Sequence, residues 1–395
     1  SKRGVERIES LKAKLYAGMA RNGLTGKAAD QIYAQIQAFA NFGFAESHSL
    51  SFALLVYASS WIKLHYPAAF LAGLLRAQPM GFYSAATLTS DARRHGVQVL
   101  RPDLARSGVD AGLELSVARP VEPVETPSTG LASCLDPDQP PVGEFDPKAS
   151  DEWASHRRDG DFAVRLGLAE VRGIGKDVAT RIVTEREVHG AYTSMPDLVR
   201  RTGLAVEQLE ALAAADTFAS LGLTRRQALW LAGSAALDQP DSLPGTLVET
   251  QPPLFGEPTP TEVLADDLWA TGVSTTDHPI GQLRAELSAR GVLSTAELAT
   301  AEPGRRVQVG GLVTHRQRPG TASGITFVSI EDEFGLLNVV CSVGVWGRYR
   351  RVARSARALV VRGKLERSPE GVVNLLADQL EDLPVLVPHK SRDFH

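Results

Sequence analysis

The stretch Leu168–Val183 reads Leu-Ala-Glu-Val-Arg-Gly-Ile-Gly-Lys-Asp-Val-Ala-Thr-Arg-Ile-Val. Its pattern predicts a short apolar helix that ends at Val171, a Gly-Ile-Gly turn, and a second helix that starts near Asp177. Two glycines one residue apart allow backbone with positive φ and let a partner come close to the chain. The unpaired N–H groups that open the second helix can hold a phosphate oxygen.

This arrangement is typical of a helix-hairpin-helix, which grips the DNA backbone without reading base sequence. The alternative is an ordinary pair of helices joined by a glycine turn, and the Gly-x-Gly-Lys spacing alone does not separate the two. An apolar face on the second helix and basic residues at the corner favour nucleic-acid binding. The candidate backbone-binding residues are Arg172, Gly173, Ile174, Gly175, Lys176 and Arg181.

A second, weaker copy of the hairpin follows at Leu198–Phe218, with Gly203-Leu204 as a degenerate turn. It lacks the Gly-x-Gly spacing, so we expect it to pack against the first copy rather than to bind DNA. Together the two copies predict a tandem helix-hairpin-helix domain over residues 162–238.

Composition sets wide limits on the class of protein. The chain has 395 residues, 43% of them hydrophobic, and a net charge of −4, so bulk charge does not indicate a nucleic-acid partner. No apolar run is long enough to cross a membrane and no secretory signal opens the chain, so no membrane partner is expected. Cys134 and Cys341 alone make neither a zinc site nor a disulfide framework, which favours a cytoplasmic location.

Residues 1–115 are predicted to be mostly helical. Apolar residues at spacings of three and four predict helices over Ala28–Phe42 and Ser51–His65, and a short strand follows at Val97–Leu100. The helical pattern is already under way at Ser1, which suggests that Ser1 is not a natural domain start.

Two stretches are rich in proline and acidic residues. Residues 116–161 have too little apolar side chain to offset the entropy of ordering, and are predicted to form a mobile surface excursion. Residues 239–304 begin with a second Pro-rich linker and continue as a helical connection.

In residues 305–383 the hydrophobic residues recur with a period of two, which is typical of β-strands. The pattern predicts five strands, with a helical stretch, Val345–Ala353, after the third strand. This order of elements is typical of an OB-fold, a small barrel that commonly binds single-stranded nucleic acid. Residues 384–395 remain as a tail, and the overall fold class is multidomain α+β. The strand candidates are Arg306–Gln317, Gly324–Glu331, Leu336–Cys341, Ala358–Arg367 and Val372–Glu381.

A cluster of arginines crowds the helical stretch of this barrel. It can track a single strand, meet an acidic protein surface, or be a solvated helix face. Few aromatic residues alternate with the arginines, so we favour a protein dock over a stacking platform. Its members are Arg348, Arg350, Arg351 and Arg354.

One stretch of the chain resembles the fingers of bacterial C-family replicative polymerases. It begins with Phe44-Ala45-Glu46-Ser47-His48 and continues as an apolar helix that ends His65-Tyr66-Pro67-Ala68-Ala69-Phe70. The chain is similar to the C-terminal region of the error-prone branch of that family, the ImuC-type relatives of the DnaE-type polymerase III alpha subunit. Further matching stretches are Gln78–Tyr83, Asp91–Gly96, Ala270–Gly272, Asp277–Pro279, Arg316–Pro319 and Ser391–Phe394.

The resemblance implies the DNA-binding and partner-docking part of an error-prone DNA polymerase used in damage-induced translesion synthesis. The parent reaction is template-directed DNA synthesis from deoxynucleoside triphosphates. Its Mg²⁺-binding palm aspartates are expected N-terminal to this region, because no Asp-x-Asp pair occurs here in a strand context and Asp266-Asp267 lies in a helix-prone stretch. We therefore expect this chain alone to bind no cofactor and to be inactive. The alternative is a non-catalytic DNA-binding adaptor.

Within the fingers, the resemblance implies that Ser47, His48 and Lys63 face nucleotide and template. The alternative is that Ser47 is an N-cap and His48 a local hydrogen-bonding residue. These three residues are the fingers candidates.

Gln251, Leu254 and Phe255 resemble the Gln-x-x-Leu-Phe peptide that docks polymerases on the sliding clamp, although Pro252 replaces the usual aliphatic residue. The implied partners are DNA, both duplex backbone and single-stranded template, an ImuB-type accessory polymerase and an ImuA-type protein. The clamp is reached directly or through the accessory partner.

Overall fold

The structure is a computed structural model of the chain. It describes residues 4–41, 46–81, 83–116, 157–239, 256–368, 371–385 and 391–394. The chain divides into two units, Ser1–Lys63 and Leu64–His395. Among the described residues, none of the helices combines the length and apolarity that a membrane crossing requires.

The first unit is helical, as the sequence predicts. It contains α1 (Gly4–Arg21), α2 (Lys27–Asn41) and most of α3 (Glu46–His65). The ring of Tyr16 lies 5.6 Å from that of Tyr33, and its hydroxyl donates to Asp30 at 2.8 Å, so α1 and α2 form a hairpin.

The second unit begins with α4 (Pro67–Arg76) and α5 (Ala85–Arg94), which pack on a three-stranded sheet. Its strands β1 (Val99–Leu100), β2 (Gly112–Leu115) and β3 (Phe162–Arg165) have the order β1-β3-β2. The predicted strand near residue 99 is therefore the edge of a small mixed sheet.

The predicted Pro-rich excursion connects two adjacent antiparallel strands, since Leu115 of β2 pairs with Phe162 of β3. Residues 117–156 lie outside the described residues. The predicted end of the excursion is wrong, because buried Asp159 accepts N–H bonds from Ala68 at 2.8 Å and Ala69 at 3.1 Å and so caps α4. Residues 157–161 therefore belong to the fold.

The helical domain that follows has one apolar core, to which both predicted hairpins contribute, including Ile174, Leu198 and Phe218. Both helices of the first hairpin are present, and two of their details differ from the prediction. The first helix of hairpin one is a single 3₁₀ turn, Leu168–Glu170, and the second helix begins at Gly175 rather than near Asp177. The helices are α6 (Gly175–His189), α7 (Met195–Thr202), α8 (Val206–Ala214) and α9 (Arg225–Ala235).

The helical connection after residue 256 contains α10 (Pro260–Ala270), α11 (Pro279–Gln282) and α12 (Arg284–Ala289). The second half of this segment packs against the barrel. Ile280 and Leu287 pack in one apolar cluster with Leu312 and Val360 of the barrel. The barrel is therefore joined to this segment by buried apolar contacts.

The barrel consists of β4 (Arg306–Gln317), β5 (Thr326–Glu331), β6 (Leu336–Cys341), β7 (Ala358–Arg367) and β8 (Val373–Asp382). The strand order β5-β6-β8-β7-β4 closes through a β4–β5 pairing, which confirms the predicted OB-fold. Its aliphatic side chains alternate inward, as the period of two requires.

Two parts of the barrel differ from the prediction. The helical insertion is two short helices, α13 (Val343–Arg348) and α14 (Arg350–Ser355), rather than one. The predicted tail also contributes a strand, β9 (Arg392–Phe394), which pairs in parallel with β4. Backbone pairing at a free sheet edge has little sequence signature, so the tail pattern did not reveal it.

Candidate nucleic-acid interface

The turn between Leu168–Glu170 and α6 is open on its outer side. Gly173 and Gly175 adopt φ values of +75° and +61°, which an L side chain rarely adopts. A Cβ placed at either glycine would meet no atom within 4 Å. A partner can therefore approach the backbone of this turn closely.

Ile174, between the two glycines, anchors the turn through its side chain. Its side chain is 2% exposed and belongs to the helical core, and its N–H donates to the carbonyl of Val171 at 3.1 Å. The sequence groups Ile174 with the backbone-binding residues of the turn, and the structure shows that its side chain is buried in the core. An apolar side chain flanked by flexible glycines is held best when it is buried.

The N-terminus of α6 is not capped by a side chain. N–H groups of its first turn thus face solvent with the positive end of the helix dipole. Lys176 is exposed and its Nζ lies 3.3 Å from Oδ1 of Asp110. This end of α6 combines N–H donors with one cation that a neighbouring carboxylate already contacts.

Arg172 contacts a helix that is distant in sequence. Its guanidinium lies over the indole of Trp269, 4.9 Å from the ring centroid, and its N–H donates to the carbonyl of Ala270 at 2.7 Å. Trp269 lies on α10, and nothing in the local sequence links it to the turn. The end of α10 therefore holds the arginine that precedes the two glycines.

Arg181 is not brought to the turn. It is exposed on α6, but five residues after Lys176 it lies about 140° around the helix axis from that lysine. The structure thus gathers Arg172, Gly173, Gly175 and Lys176 at one corner and leaves Arg181 on another face.

The second hairpin contacts the turn of the first hairpin. Gly203 has φ +65° and ends α7, as expected for the degenerate turn. Gln208 of α8 accepts the N–H of Ala205 at 3.1 Å and donates to the carbonyl of Gly173 at 3.2 Å. The amide of Gln208 thus fixes the position of the glycine turn, a role that its sequence context did not reveal.

Glu170 lies at the base of the turn. Its carboxylate accepts the N–H of Gly167 at 3.3 Å, and burial raises its pKa to about 7. Gly167 is tightly enclosed, because a Cβ there would come within 2.5 Å of the carbonyl oxygen of Val109. The loop at residues 109–110 therefore lies directly against the hairpin.

The arginines of the barrel divide into two sets. Arg350 and Arg354 line a cavity of about 500 Å³ together with Trp346, whereas Arg348 and Arg351 are exposed and do not line it. All four arginines of the predicted cluster are therefore exposed, and two of them also form part of a cavity wall.

Arg316 organises this part of the barrel, a role that its place in a matching stretch did not reveal. It is buried, and its guanidinium donates to the carbonyls of Ala353 and Ala356, each at 2.6 Å. It also lies 3.4 Å from Asp393 of β9. Arg316 thus connects β4, α14 and the C-terminal strand.

The fingers candidates do not form one site. Ser47 and His48 are exposed in the first turn of α3, and the His48 ring packs against Phe52 with centroids 4.5 Å apart. Lys63, near the other end of the helix, is about 22 Å farther along its axis. Gln251, Leu254 and Phe255 of the candidate clamp peptide lie outside the described residues.

The Asp266-Asp267 pair is part of an ion-pair network. Asp267 is buried and accepts bonds from Arg101 and from Arg225, which is buried too. Asp266 lies 3.9 Å from the same Arg225. The described residues contain no group of three His, Cys, Asp or Glu side chains that could hold a metal ion.

Comparison with known proteins gives two domain matches. Residues 96–228 match the helix-hairpin-helix motif family, and residues 307–383 match the OB-fold nucleic acid binding domain family. Among solved structures, asparaginyl-tRNA synthetase from Pyrococcus horikoshii aligns with 25% of this chain and 24% of its own, at 21% identity and a TM-score of 0.20, a likeness too low to carry an argument.

Three relatives named error-prone DNA polymerase align over 100% of the chain. The protein of Cutibacterium acnes is 58% identical, that of Nocardia farcinica 46% and that of Mycobacterium tuberculosis H37Rv 43%. The chain spans 35%, 31% and 32% of their respective lengths, about a third in each case. The chain therefore belongs to the error-prone DNA polymerase family, as a C-terminal-type region with a helix-hairpin-helix and an OB-fold domain.

Proposed function

We propose that this chain is the DNA-binding and partner-docking part of an error-prone DNA polymerase that acts in damage-induced translesion synthesis in the cytoplasm. The parent protein would extend a primer on a template with deoxynucleoside triphosphates and Mg²⁺ held by palm aspartates outside this chain. The open Gly173-Ile174-Gly175 turn carries the proposal, because it pairs an accessible backbone with the uncapped start of α6.

In this proposal the turn binds the phosphate backbone of duplex DNA. The N–H groups at the start of α6 donate to a phosphate oxygen, and Lys176 adds a charge that is released from Asp110 on binding. No base edge is contacted, so the affinity is insensitive to sequence and falls as salt rises. The domain would hold the polymerase on duplex DNA behind the primer end.

The barrel and the linker carry the proposed protein contacts. Arg348 and Arg351 are exposed outside the cavity, and a pair of cations on short helices suits an acidic face of an ImuB-type partner. An ImuA-type protein and the sliding clamp belong to the same assembly. Either Gln251–Phe255 contacts the clamp directly, or the clamp is reached through the accessory partner.

Duplex binding is tested by fluorescence anisotropy with two unrelated labelled duplexes of about twenty base pairs over a salt series. We expect equal affinities for both duplexes and a steep loss with salt. Lys176→Glu should weaken binding about tenfold or more, because it places a negative charge beside the phosphate. Arg181→Glu on another face of α6 is the matched control. Equal effects of the two reversals would contradict the proposed site.

The polymerase assignment is tested in the full-length protein. Lys176→Glu there should shorten primer extension on undamaged and lesion-bearing templates, while the 395-residue chain alone should extend no primer. Full-length protein without any primer extension would favour the non-catalytic adaptor. Pull-down with an ImuB-type partner, using Arg348→Glu with Arg351→Glu, tests the docking surface.

A further inference from the structure

The outer edge of β1 lines a groove that the proposed duplex and protein contacts do not use. The groove holds about 530 Å³, a volume in the range of ligand sites. One wall is the continuous stretch of residues 96–103, which contains β1. The other wall comes from Arg93 of α5, from Asp216, and from Thr275 and Thr276 in the loop between α10 and α11. This gap between a sheet edge and the segments that face it is called the β1 groove.

β1 has backbone groups that its own sheet leaves unpaired. On the side of β3, the carbonyl of Gln98 accepts the N–H of Val164 at 2.9 Å, and the carbonyl of Leu100 accepts the N–H of Leu166 at 3.0 Å. Because successive residues of a strand direct their N–H and C=O groups to opposite sides, those of Val99 point away from β3 and towards the groove. No hydrogen bond from a described residue reaches either group of Val99. β1 therefore presents a free donor and a free acceptor on one residue.

The edge of β1 is recessed behind a loop. Nη2 of Arg93 donates to the carbonyl of Thr276 at 2.7 Å, and Nη2 of Arg101 lies 3.5 Å from Oγ1 of the same threonine. Arginines before and after β1 thus contact the loop that faces it. Exposed sheet edges pair with other sheets unless something covers them. Here the loop blocks a second sheet, while the groove leaves space for one extended chain, as in recognition by strand addition.

Arg93 gives the β1 groove a positive charge that is not neutralised. Its guanidinium donates to the Thr276 carbonyl, but no carboxylate of the described residues lies within ion-pair distance of it. Burial lowers the pKa of this guanidinium, and the charge of Asp277 offsets the effect only in part. A half-buried cation without a counterion suits an anionic group of a ligand. The other arginines of the groove already have carboxylate partners: Arg101 pairs with Asp267 and Arg165 with Glu114.

We propose that the β1 groove binds an acidic peptide of a partner protein, extended along β1, with a carboxylate on Arg93. In an antiparallel register, the peptide residue opposite Val99 exchanges two hydrogen bonds with its N–H and C=O groups. The carboxylate supplies the counterion that Arg93 lacks. A simple anion would leave the two backbone groups of Val99 unpaired. The proposal goes beyond the proposed function, since neither the hairpin turn nor Arg348 and Arg351 take part.

The first test uses peptides on the unaltered 395-residue chain. A fluorescein-labelled peptide of about eight residues, alternating glutamate and threonine, is compared by anisotropy with one in which lysine replaces glutamate. We expect the glutamate peptide to bind about tenfold or more tightly than the lysine peptide. Tighter binding of the lysine peptide would overturn the proposal.

Methylation of the peptide backbone then separates strand addition from charge attraction. Alternate N–H groups of an extended peptide point to opposite edges. Methylation of every glutamate N–H therefore blocks one edge, and methylation of every threonine N–H blocks the other. We expect one methylated glutamate peptide to lose binding about tenfold and the other to stay within about threefold of the parent peptide. Equal losses, or no loss in either, would contradict strand addition.

Val99→Pro and Val99→Ala separate the backbone donor from the side chain. Both variants change the buried valine side chain, but only proline removes the N–H, which an edge strand tolerates where that N–H points away from the sheet. We expect Val99→Pro to weaken binding of the glutamate peptide about tenfold, and Val99→Ala to weaken it by less than about threefold. Calorimetry shows whether both variants fold. Equal affinities of two folded variants would contradict the proposal, and the methylated peptides give the same test without any variant.

Arg93→Gln tests the charge, because glutamine keeps an amide donor for the Thr276 carbonyl. We expect it to weaken binding of the glutamate peptide about tenfold. Arg181→Gln removes the same charge from the exposed face of α6 and should change binding by less than about twofold. Equal effects of the two variants would overturn the proposal.

Nucleic acids are measured on the same two variants. Duplex binding should be unchanged in Arg93→Gln, because the β1 groove is separate from the hairpin turn. A loss of duplex affinity parallel to the loss of peptide affinity would show that Arg93 acts through the fold and would overturn the proposal. Binding of labelled oligo(dT) that falls in Arg93→Gln as much as peptide binding does would assign the groove to a nucleic-acid strand instead of a peptide.

Discussion

Lys176 Nζ lies 3.3 Å from Oδ1 of Asp110, so the cation at the start of α6 contacts a carboxylate from the loop before β2. Both side chains are exposed, with 70% and 38% of their surface accessible, and such a pair contributes about 1 kcal/mol or less to stability. A phosphate that reaches Lys176 must therefore compete with a weak intramolecular partner. This relationship makes Asp110 a modulator of the proposed DNA contact.

Asp110→Asn should strengthen duplex binding about two- to fivefold, because it removes a competing negative charge beside the phosphate site. Anisotropy with a labelled duplex at low salt measures the change. Asp161→Asn, in the loop before β3, removes the same charge at a different place and should have little effect. Weaker duplex binding by Asp110→Asn would show that Lys176 does not face the phosphate.

Gly175→Ala should destabilise the domain by about 1 kcal/mol, since alanine must adopt φ +61° there. It should also weaken duplex binding, because the methyl group projects into the open space that a phosphate would enter. Gly222→Ala is the matched control, with φ +74° and equally open surroundings in the same domain. Urea unfolding and anisotropy are measured on both. Equal losses of affinity would show that binding follows stability alone.

Stability should fall as pH rises from about 4.5 to about 7, because burial raises the pKa of Glu170 from its ordinary 4.5 to about 7. In this window the folded protein retains a proton that the unfolded chain has lost. Glu170→Gln cannot ionise, so its free energy of unfolding at pH 8 should exceed that of the parent by about 1–3 kcal/mol. Urea unfolding at pH 5 and pH 8 gives the comparison. A gain of the same size at both pH values would point to packing instead.

Asp267→Ala should lower the free energy of unfolding by about 3–5 kcal/mol, because it leaves buried Arg225 without its closest carboxylate. Asp266→Ala, at the neighbouring and more exposed carboxylate, should cost about 1 kcal/mol or less. Both are measured by urea unfolding with and without Mg²⁺. Stabilisation by Mg²⁺ that disappears in either variant would instead support a metal site at this pair.

Replacement of residues 118–155 by a short Gly-Ser linker should leave the fold intact, because Leu115 and Phe162 are paired and their ends are already adjacent. A Tm within about 3 °C of the parent is expected by calorimetry. Extending the deletion through Asp159 should lower Tm clearly, since it removes the cap of α4. Equal Tm values for the two deletions would contradict the boundary at residue 157.

Much of this protein follows from sequence patterns that act locally. The Gly173-Ile174-Gly175 spacing predicted the turn, because only glycine readily adopts its backbone conformation. The alternation of aliphatic residues from Arg306 to Glu381 predicted the five barrel strands, because inward and outward side chains alternate in a strand. The family followed from short motifs that remain recognisable in sequence.

The tertiary structure alone decided which side chains meet. Arg172 stacks on Trp269, Lys176 contacts Asp110, and Arg350 and Arg354 share a cavity from which Arg348 and Arg351 are excluded. Ile174 turned inward although its neighbours are exposed. These outcomes depend on the packing of segments far apart in the chain, and hydrophobic periodicity specifies which face is buried but not which partner lies against it.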